Sequence, residues 1–167
     1  MDLIEPSFAF VESYRVALRE FEHEGITGFW EHFGPLDDAE DYLQKIKQYQ
    51  HVAGLPIGLV PASVYWLVDE GDFIGHVSVR HCLNAALERW GGHIGYAIRP
   101  SQQHRGYGSK ILKRVLPVVR ALGIEKALVT CDKDNFASRR IIEKNGGLLA
   151  DESEVNGKLV LRFWIHL

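Results

Sequence analysis

The chain has 167 residues, with a hydrophobic fraction of 46% and a charged fraction of 25%, as expected for a soluble globular protein. This length predicts a single domain over residues 1–167 with a core of its own. The net charge of −3 and the sequence pI near 6.2 argue against a general nucleic-acid or anionic-membrane binder, because either would need a basic surface.

The sequence shows no targeting or membrane-spanning segment. No apolar run is long enough to cross a bilayer, and residues 1–5 lack the basic start and apolar core of an export signal. The two cysteines, Cys82 and Cys131, give neither a disulfide framework nor zinc-ligand spacing, and we expect buried, inert thiols and no metal site. A reduced cytoplasm is therefore the expected location.

The first third of the chain predicts a short strand and two helices. The strand lies within residues 1–7, and the first helix runs between a capping Ser7 and a terminating Gly25. The second helix is predicted to begin at Asp37 or Asp38. The apolar positions that recur at helical spacing are Val11, Tyr14, Leu18 and Phe21 in the first helix and Tyr42, Leu43, Ile46 and Tyr49 in the second.

Two long loops, residues 25–36 and 51–62, flank the second helix. Loops of this length without secondary structure are uncommon and are often functional. The first loop either folds down on the core or forms a wall of a substrate pocket. Its aromatic residues are Phe29, Trp30, His32 and Phe33.

The rest of the chain predicts strands mixed with two helices, and so a mixed α+β fold. Alternating residues and turn signals indicate strands, and capping residues indicate helix ends. In chain order, the prediction begins with a hairpin of strands 63–68 and 73–82, a loop over 83–92 and a strand over 93–98. A helix ending at Gly123 and a buried strand over 127–131 follow. The last elements are a helix from Asp134 or Asn135 to about Asn145 and strands 148–150 and 159–167, joined at Asn156-Gly157.

Residues 103–110 are the most informative stretch, because they join the strand 93–98 to a helix. The first turn of a helix has backbone N–H groups without partners and carries a partial positive charge, so it can bind phosphate. Gly106 and Gly108 allow close approach and positive φ, and Arg105 and Lys110 add charge. The spacing fits neither a Walker A loop nor a dinucleotide fingerprint. A plain turn is the alternative.

The pattern Gln103-x-x-Gly106-x-Gly108 resembles the acyl-CoA pyrophosphate loop of the GNAT superfamily of N-acetyltransferases. A second segment, residues 135–138 followed by 142–147, is similar to that family's Asn-x-x-Ser motif and the helix end after it. The two segments stand in the family's order, separated by a helix and a strand. They make the resemblance far more specific than either would alone.

The resemblance implies the GNAT acyl-CoA N-acyltransferase fold, with a central, mostly antiparallel twisted sheet of six to seven strands and about four flanking helices. It also implies transfer of an acetyl group from acetyl-CoA to the amine of a small molecule or peptide by direct attack. The residues that would contact coenzyme A are Ile98, Gln103, His104, Arg105, Gly106, Tyr107, Gly108, Ser109, Asn135 and Ser138.

The catalytic groups have weaker sequence signals than the coenzyme A contacts. By resemblance, the backbone N–H near Ile98 would stabilise the oxyanion. No carboxylate base is evident on the fourth strand, where His93 is the nearest titratable group; it is either the base or a strand residue bonded to its neighbours. Glu31 and Glu88 are weaker candidates. Ile142 stands where many family members carry a tyrosine that acts as general acid.

Two other functions stay open at this point. Many members of the family carry a glutamate base on the fourth strand, and the lack of this glutamate and of the tyrosine also fits a non-catalytic acyl-CoA-binding or sensing module. The glycine loop fits a nucleotide-binding protein of another kind. The last strand, with Phe163 and Trp164, is predicted to offer a sheet edge for a homodimer.

Overall fold

The computed structural model describes residues 1–28, 38–51, 55 and 57–167. This part of the chain contains seven strands and five α-helices, with short 3-10 turns before α1 and α4. The strands are β1 Asp2–Ile4, β2 Ala62–Asp69, β3 Asp72–Arg80, β4 Ile94–Ile98, β5 Lys126–Asp132, β6 Leu148–Val155 and β7 Lys158–His166. The helices are α1 Val11–His23, α2 Ala39–Gln48, α3 Ala85–Arg89, α4 Tyr107–Ala121 and α5 Phe136–Lys144.

The strands form two antiparallel sheets, one in the order β1-β2-β3-β4 and the other in the order β5-β7-β6. The sheets meet where β4 begins: the N–H of His93 donates to the carbonyl of Leu128 on β5, at 2.7 Å. This is the one backbone hydrogen bond that joins the two sheets at β4 and β5 among the described residues. The predicted mixed α+β class and strand number are confirmed, with the sheet divided at this point.

Gly92 allows the two sheets to touch. Its φ is +61°, and a Cβ atom at this position would lie 2.4 Å from the carbonyl oxygen of Leu128. Any other residue would push β4 away from β5, because real Cβ atoms do not come this close to a backbone oxygen. The glycine before β4 therefore defines where the strands meet and where they begin to separate.

Two apolar clusters pack on opposite faces of the first sheet. One contains Tyr14 and Phe21 of α1 and Trp66 of β2, and the other contains Ile111 and Val115 of α4 together with β3, β5 and β7. The apolar stripes predicted for the first two helices supply the first of these clusters. Across the described ranges, with their gaps at 29–37, 52–54 and 56, no helix has the length and apolar character needed to span a bilayer.

Most predicted helix ends and turns are confirmed. The side chain of Asp38 caps α2 and that of Asn135 caps α5, each accepting backbone N–H bonds. The β6–β7 hairpin turns at Asn156 and Gly157, whose φ values are +51° and +77°. Ser7 caps the 3-10 turn that leads directly into α1.

Three features differ from the prediction. The loop 83–92 contains α3, because the Asn84 side chain accepts the N–H of Leu87 and starts a helix. Strand β6 extends to Val155, since it pairs with β7 along its whole length. The last strand is the centre of its sheet, flanked by β5 and β6, and Phe163 is fully buried, so the predicted edge lies on β6 instead.

The predicted aromatic loop residues Phe29, Trp30, His32 and Phe33, together with Glu31, lie outside the described residues. The same holds for Gly54 and Pro56 in the second loop.

Candidate active site

The predicted phosphate loop is built as an open helix start. After β4 the chain makes a 3-10 turn at Pro100–Gln102, and His104 and Gly106 then adopt φ values of +60° and +80°. Helix α4 begins at Tyr107, and the first helical bond runs from Lys110 to Gly106. The N–H groups of the first turn therefore point out of the helix end without intrahelical acceptors.

The two predicted glycines of the loop have different roles. No heavy atom lies within 4 Å of a Cβ built on Gly106, so its left-handed backbone, rather than crowding, requires glycine. Gly108 lies inside the helix, and a Cβ there would be 2.5 Å from Cδ1 of Ile141 on α5. The second glycine therefore lets α4 and α5 pack closely, which narrows the space between them.

Charged and aromatic groups surround the helix start. Arg105 and Lys110 both lie over the ring of Tyr107, at 5.8 and 4.7 Å from its centroid. The Tyr107 hydroxyl donates to the carboxylate of Asp69 at the end of β2, at 3.0 Å. These contacts hold two positive charges beside the open N–H groups and fix the first residue of α4 to the first sheet.

A cavity of about 580 Å³ lies between β4, the loop and α5. Tyr96, Arg140 and Lys144 also line it, and none of them was predicted. Arg140 and Lys144 stand four residues apart on α5, a spacing that places both on one helix face and could have been read from the sequence. Of the predicted contact residues, the cavity is lined by Ile98, Gln103, His104, Gly106, Tyr107, Gly108, Ser109, Asn135 and Ser138; Arg105 is exposed and bonds to Gln102 instead.

The inner part of the cavity lies between β4 and the first turn of α5. Asn135 accepts the N–H of Ser138 at 3.0 Å, and the Ser138 hydroxyl lies 3.1 Å from the Tyr96 hydroxyl. Burial raises the pKa of Tyr96, so this phenol keeps its proton at physiological pH. The cavity thus has neutral hydroxyls at its inner side and positive charges near the helix start.

The backbone of Ile98 faces the space between the two sheets. Its neighbour Arg99 donates its N–H to Ile74 on β3, at 2.9 Å. Because N–H groups alternate in direction along an antiparallel strand, the N–H of Ile98 points away from β3, towards the side of β5. The Ile98 N–H therefore points in the direction that the predicted oxyanion donor requires. Its catalytic role stays a prediction.

His93 is tied to β5 through its ring as well as its backbone. Its Nδ1 accepts the N–H of Leu128 at 2.9 Å, which places the proton of the neutral ring on Nε2. Burial lowers the pKa of His93, and the positive charge of Arg80 lowers it further. With one nitrogen used and the other protonated, the ring has no free basic lone pair, and this geometry favours the strand residue over the base.

Arg80 fixes the glycines before β4. Its Nη1 donates to the carbonyls of Gly91 and Gly92, at 3.0 and 3.1 Å. Burial lowers the pKa of this guanidinium below its ordinary value. The arginine therefore holds Gly91 and Gly92 in the position that places His93 against Leu128.

The other candidate groups do not line the cavity. Ile142 is fully buried in the core, and Glu88 is exposed on α3. Burial raises the pKa of the Cys131 thiol to about 11, as expected for an inert thiol. Cys82 is exposed, so the predicted burial of both thiols is wrong for Cys82, which follows the end of β3. Among the residues that the structure describes, no three side chains of the metal-ligating types come together as a metal site.

Glu20 of α1 bonds to Arg99 and Ser101 at the start of the phosphate loop, and we call this set of contacts the Glu20–Arg99 brace. The Glu20 carboxylate accepts from Nε of Arg99 at 2.8 Å and from the N–H of Ser101 at 3.0 Å. Burial alone would raise the pKa of Glu20, but these hydrogen bonds outweigh it and hold the pKa below its ordinary value. The phosphate loop is therefore anchored from outside by a helix that is eighty residues away in sequence.

The sequence matches the family model described as "Acetyltransferase (GNAT) domain" over residues 13–147. This match covers most of the chain, and the chain therefore belongs to the GNAT family of acetyltransferases. The resemblance inferred from the two motifs is confirmed. A search of curated proteins finds no match.

Solved structures with the same fold include several N-acetyltransferases. One is RimL, a ribosomal L7/L12 alpha-N-protein acetyltransferase in complex with coenzyme A, with a TM-score of 0.69, 17% identity, and coverage of 99% of this chain and 93% of that one. Another is a mutant of the spermidine N-acetyltransferase SpeG from Vibrio cholerae, with a TM-score of 0.66, 16% identity, and coverage of 99% and 95%. A third, from Salmonella typhimurium, modifies the N-terminal serine of L7/L12, with a TM-score of 0.66, 16% identity, and coverage of 99% and 94%.

Proposed function

We propose that the protein transfers an acetyl group from acetyl-CoA to a primary amine of a small molecule or peptide, by direct attack of the amine on the thioester. The observation that supports this most strongly is the cavity between β4, the phosphate loop and α5. It brings together nine of the ten residues predicted to contact coenzyme A. These residues come from two separate segments of the chain, residues 98–109 and 135–138.

The chain's own groups fit coenzyme A. The first-turn N–H groups of α4 would bind the diphosphate, with Gly106 supplying the left-handed bend that exposes them. Arg140 and Lys144 would add positive charge near the phosphates, and Asn135 and Ser138 would contact the pantetheine arm. Coenzyme A itself supplies the activated thioester.

The Ile98 N–H would donate to the thioester oxygen as negative charge develops on it. Because this N–H belongs to the backbone of a strand held by β3, it needs no reorganisation during the reaction. A lysine-like amine with a pKa near 10.4 costs roughly 4–5 kcal/mol to deprotonate at pH 7. The acceptor must be neutral to attack, so the enzyme has to bind the neutral amine or pass its proton to water.

The test is thiol release from acetyl-CoA in the presence of a panel of amines. The panel should include spermidine, small monoamines, and peptides with a free α-amine, because the structural neighbours act on a polyamine and on a protein N-terminus. We expect release that depends on one class of amine. Tight coenzyme A binding without release by any amine would favour the non-catalytic binding module, and competition by ATP would favour the nucleotide-binding alternative.

We also propose that residues 1–167 act as one acetyltransferase domain in the cytoplasm. The two cysteines are free, with Cys82 exposed, which agrees with a reducing compartment. A homodimer stays a prediction, although the last strand is central in its sheet and offers no edge for it. Size-exclusion chromatography with light scattering would test it.

A further inference from the structure

Two hydroxyl groups face each other at the inner side of the cavity. The Tyr96 hydroxyl on β4 lies 3.1 Å from the Ser138 hydroxyl on α5, and both side chains line the cavity. Two hydroxyls carry two protons, and their mutual hydrogen bond uses only one. When the Ser138 hydroxyl donates to the phenol oxygen, the Tyr96 O–H is left for an atom of a bound ligand.

This donor is protonated under the conditions where the enzyme works. Burial raises the pKa of the Tyr96 phenol, so it does not ionise near neutral pH. The aliphatic side chain of Ile142 on α5 is fully buried in the core, so it offers the cavity no hydroxyl. A donor to a developing anion in this part of the cavity would come from the Tyr96–Ser138 pair.

We propose that Tyr96 is a catalytic residue that donates a hydrogen bond to the coenzyme A sulfur as it leaves, while Ser138 holds the phenol in place. This inference rests on the proposed acetyl transfer. In that step the amine nitrogen bonds to the acetyl carbon, the carbon–sulfur bond breaks, and the electron pair stays on sulfur. The amine gives its proton to solvent, and Tyr96 keeps its own.

A hydrogen bond suits this site better than full proton transfer. With the cysteine value of about 8.5 as a guide, the coenzyme A thiol is a stronger acid than a phenol of about 10, and burial raises the pKa of Tyr96 further. The thiolate can therefore leave as an anion and be protonated later by solvent. A hydrogen bond to an ionised acceptor is roughly twice as strong as one between neutral groups, so it stabilises the transition state without moving the proton.

The test measures the thiol pKa of bound coenzyme A, which requires no acceptor amine. Thiolate absorbance is followed during a pH titration of the binary complex, with the desulfo-coenzyme A complex as the blank. We expect Tyr96→Phe to raise the pKa of the bound thiol by about one to two pH units, the size expected for one hydrogen bond to an anion. With an acceptor present, we expect kcat to fall about 10- to 100-fold and the coenzyme A Kd to stay within about twofold.

Tyr65→Phe is the matched control. Tyr65 lies on β2 and packs against the same apolar cluster as Tyr96, so its variant loses a hydroxyl from the same core. It should change neither the thiol pKa nor kcat. An unchanged thiol pKa in Tyr96→Phe would overturn the inference, and so would a loss of coenzyme A affinity equal to the loss of kcat. If the wild-type protein bound no coenzyme A, the proposed function itself would fail.

Discussion

The candidate base His93 makes structural contacts through both its ring and its backbone. Its ring and its backbone both bond to Leu128, so the residue joins the two sheets at the point where β4 begins. The ring can accept this bond only while Nδ1 carries no proton. The role of His93 is therefore tied to a neutral ring with its proton on Nε2, and that form cannot take a proton from an amine.

We predict that His93→Leu destabilises the protein by about 1–3 kcal/mol, because it leaves the buried N–H of Leu128 without an acceptor. His93→Asn should retain most of the stability, since the Asn Oδ1 can occupy the position of the ring Nδ1 and accept the same bond. Urea denaturation of both variants measures the free energies of unfolding.

The same pair of variants separates the structural role from the catalytic one. If His93 were the base, His93→Asn would lose acetyl transfer as fully as His93→Leu. Its lowered pKa also sets the sign of the pH effect: the neutral ring stabilises the fold above pH about 6.5, and this contribution is lost as the pH falls. His93→Asn should remove that part of the acid sensitivity.

At the scale of elements, the position of the phosphate loop depends on α1. The Glu20 carboxylate binds both the Arg99 side chain and the Ser101 backbone at the end of β4. Glu20→Gln replaces one accepting oxygen with an amide NH₂ and removes the charge. We predict a loss of about 1 kcal/mol in unfolding free energy and a coenzyme A Kd raised about two- to tenfold, measured by denaturation and calorimetry.

Glu22→Gln on the same helix is the control, because Glu22 is exposed. It removes the same charge and should change neither quantity. Equal effects of the two variants would mean that the helix contributes only its net charge. An unchanged Kd in Glu20→Gln, together with lower stability, would mean that the brace supports the fold without positioning the loop.

Elements with local signals were predictable, and those that depend on distant pairing were not. Asp38, Asn135 and the Asn156-Gly157 turn act within a few residues of their own position, so the sequence pattern alone identified them. The central place of β7 depends on pairing with β5 and β6, which no local pattern encodes. The α3 helix was missed for a different reason: although its cap Asn84 is local, the helix is only five residues long and too short to show an apolar stripe at helical spacing.

At the scale of the whole molecule, the candidate site forms where the two sheets separate and α4 and α5 converge. The loop motif and the Asn135–Ser138 segment were predictable because each is a short local pattern. Tyr96 was not, because its importance arises only when β4 lies opposite the first turn of α5. The Glu20–Arg99 brace could not be predicted either, because it joins residues that are far apart in sequence.

The central claim is that the bend before α4 binds the diphosphate of coenzyme A, and a pair of glycines on one helix can test it. Gly106 and Gly123 flank α4 at opposite ends, with φ values of +80° and +82°, and neither has a heavy atom within 4 Å of a built Cβ. Valine at either position meets the same backbone strain in open space. The two variants should therefore lose similar stability and differ only in which end of the helix they disturb.

Isothermal titration with coenzyme A of the wild type, Gly106→Val and Gly123→Val is the most direct measurement. The account predicts equal affinity for the wild type and Gly123→Val, and at least a roughly tenfold weaker affinity for Gly106→Val, because one lost charge-assisted contact is worth about 1.5 kcal/mol or more. No heat with the wild type, or equal affinity in all three proteins, would contradict it.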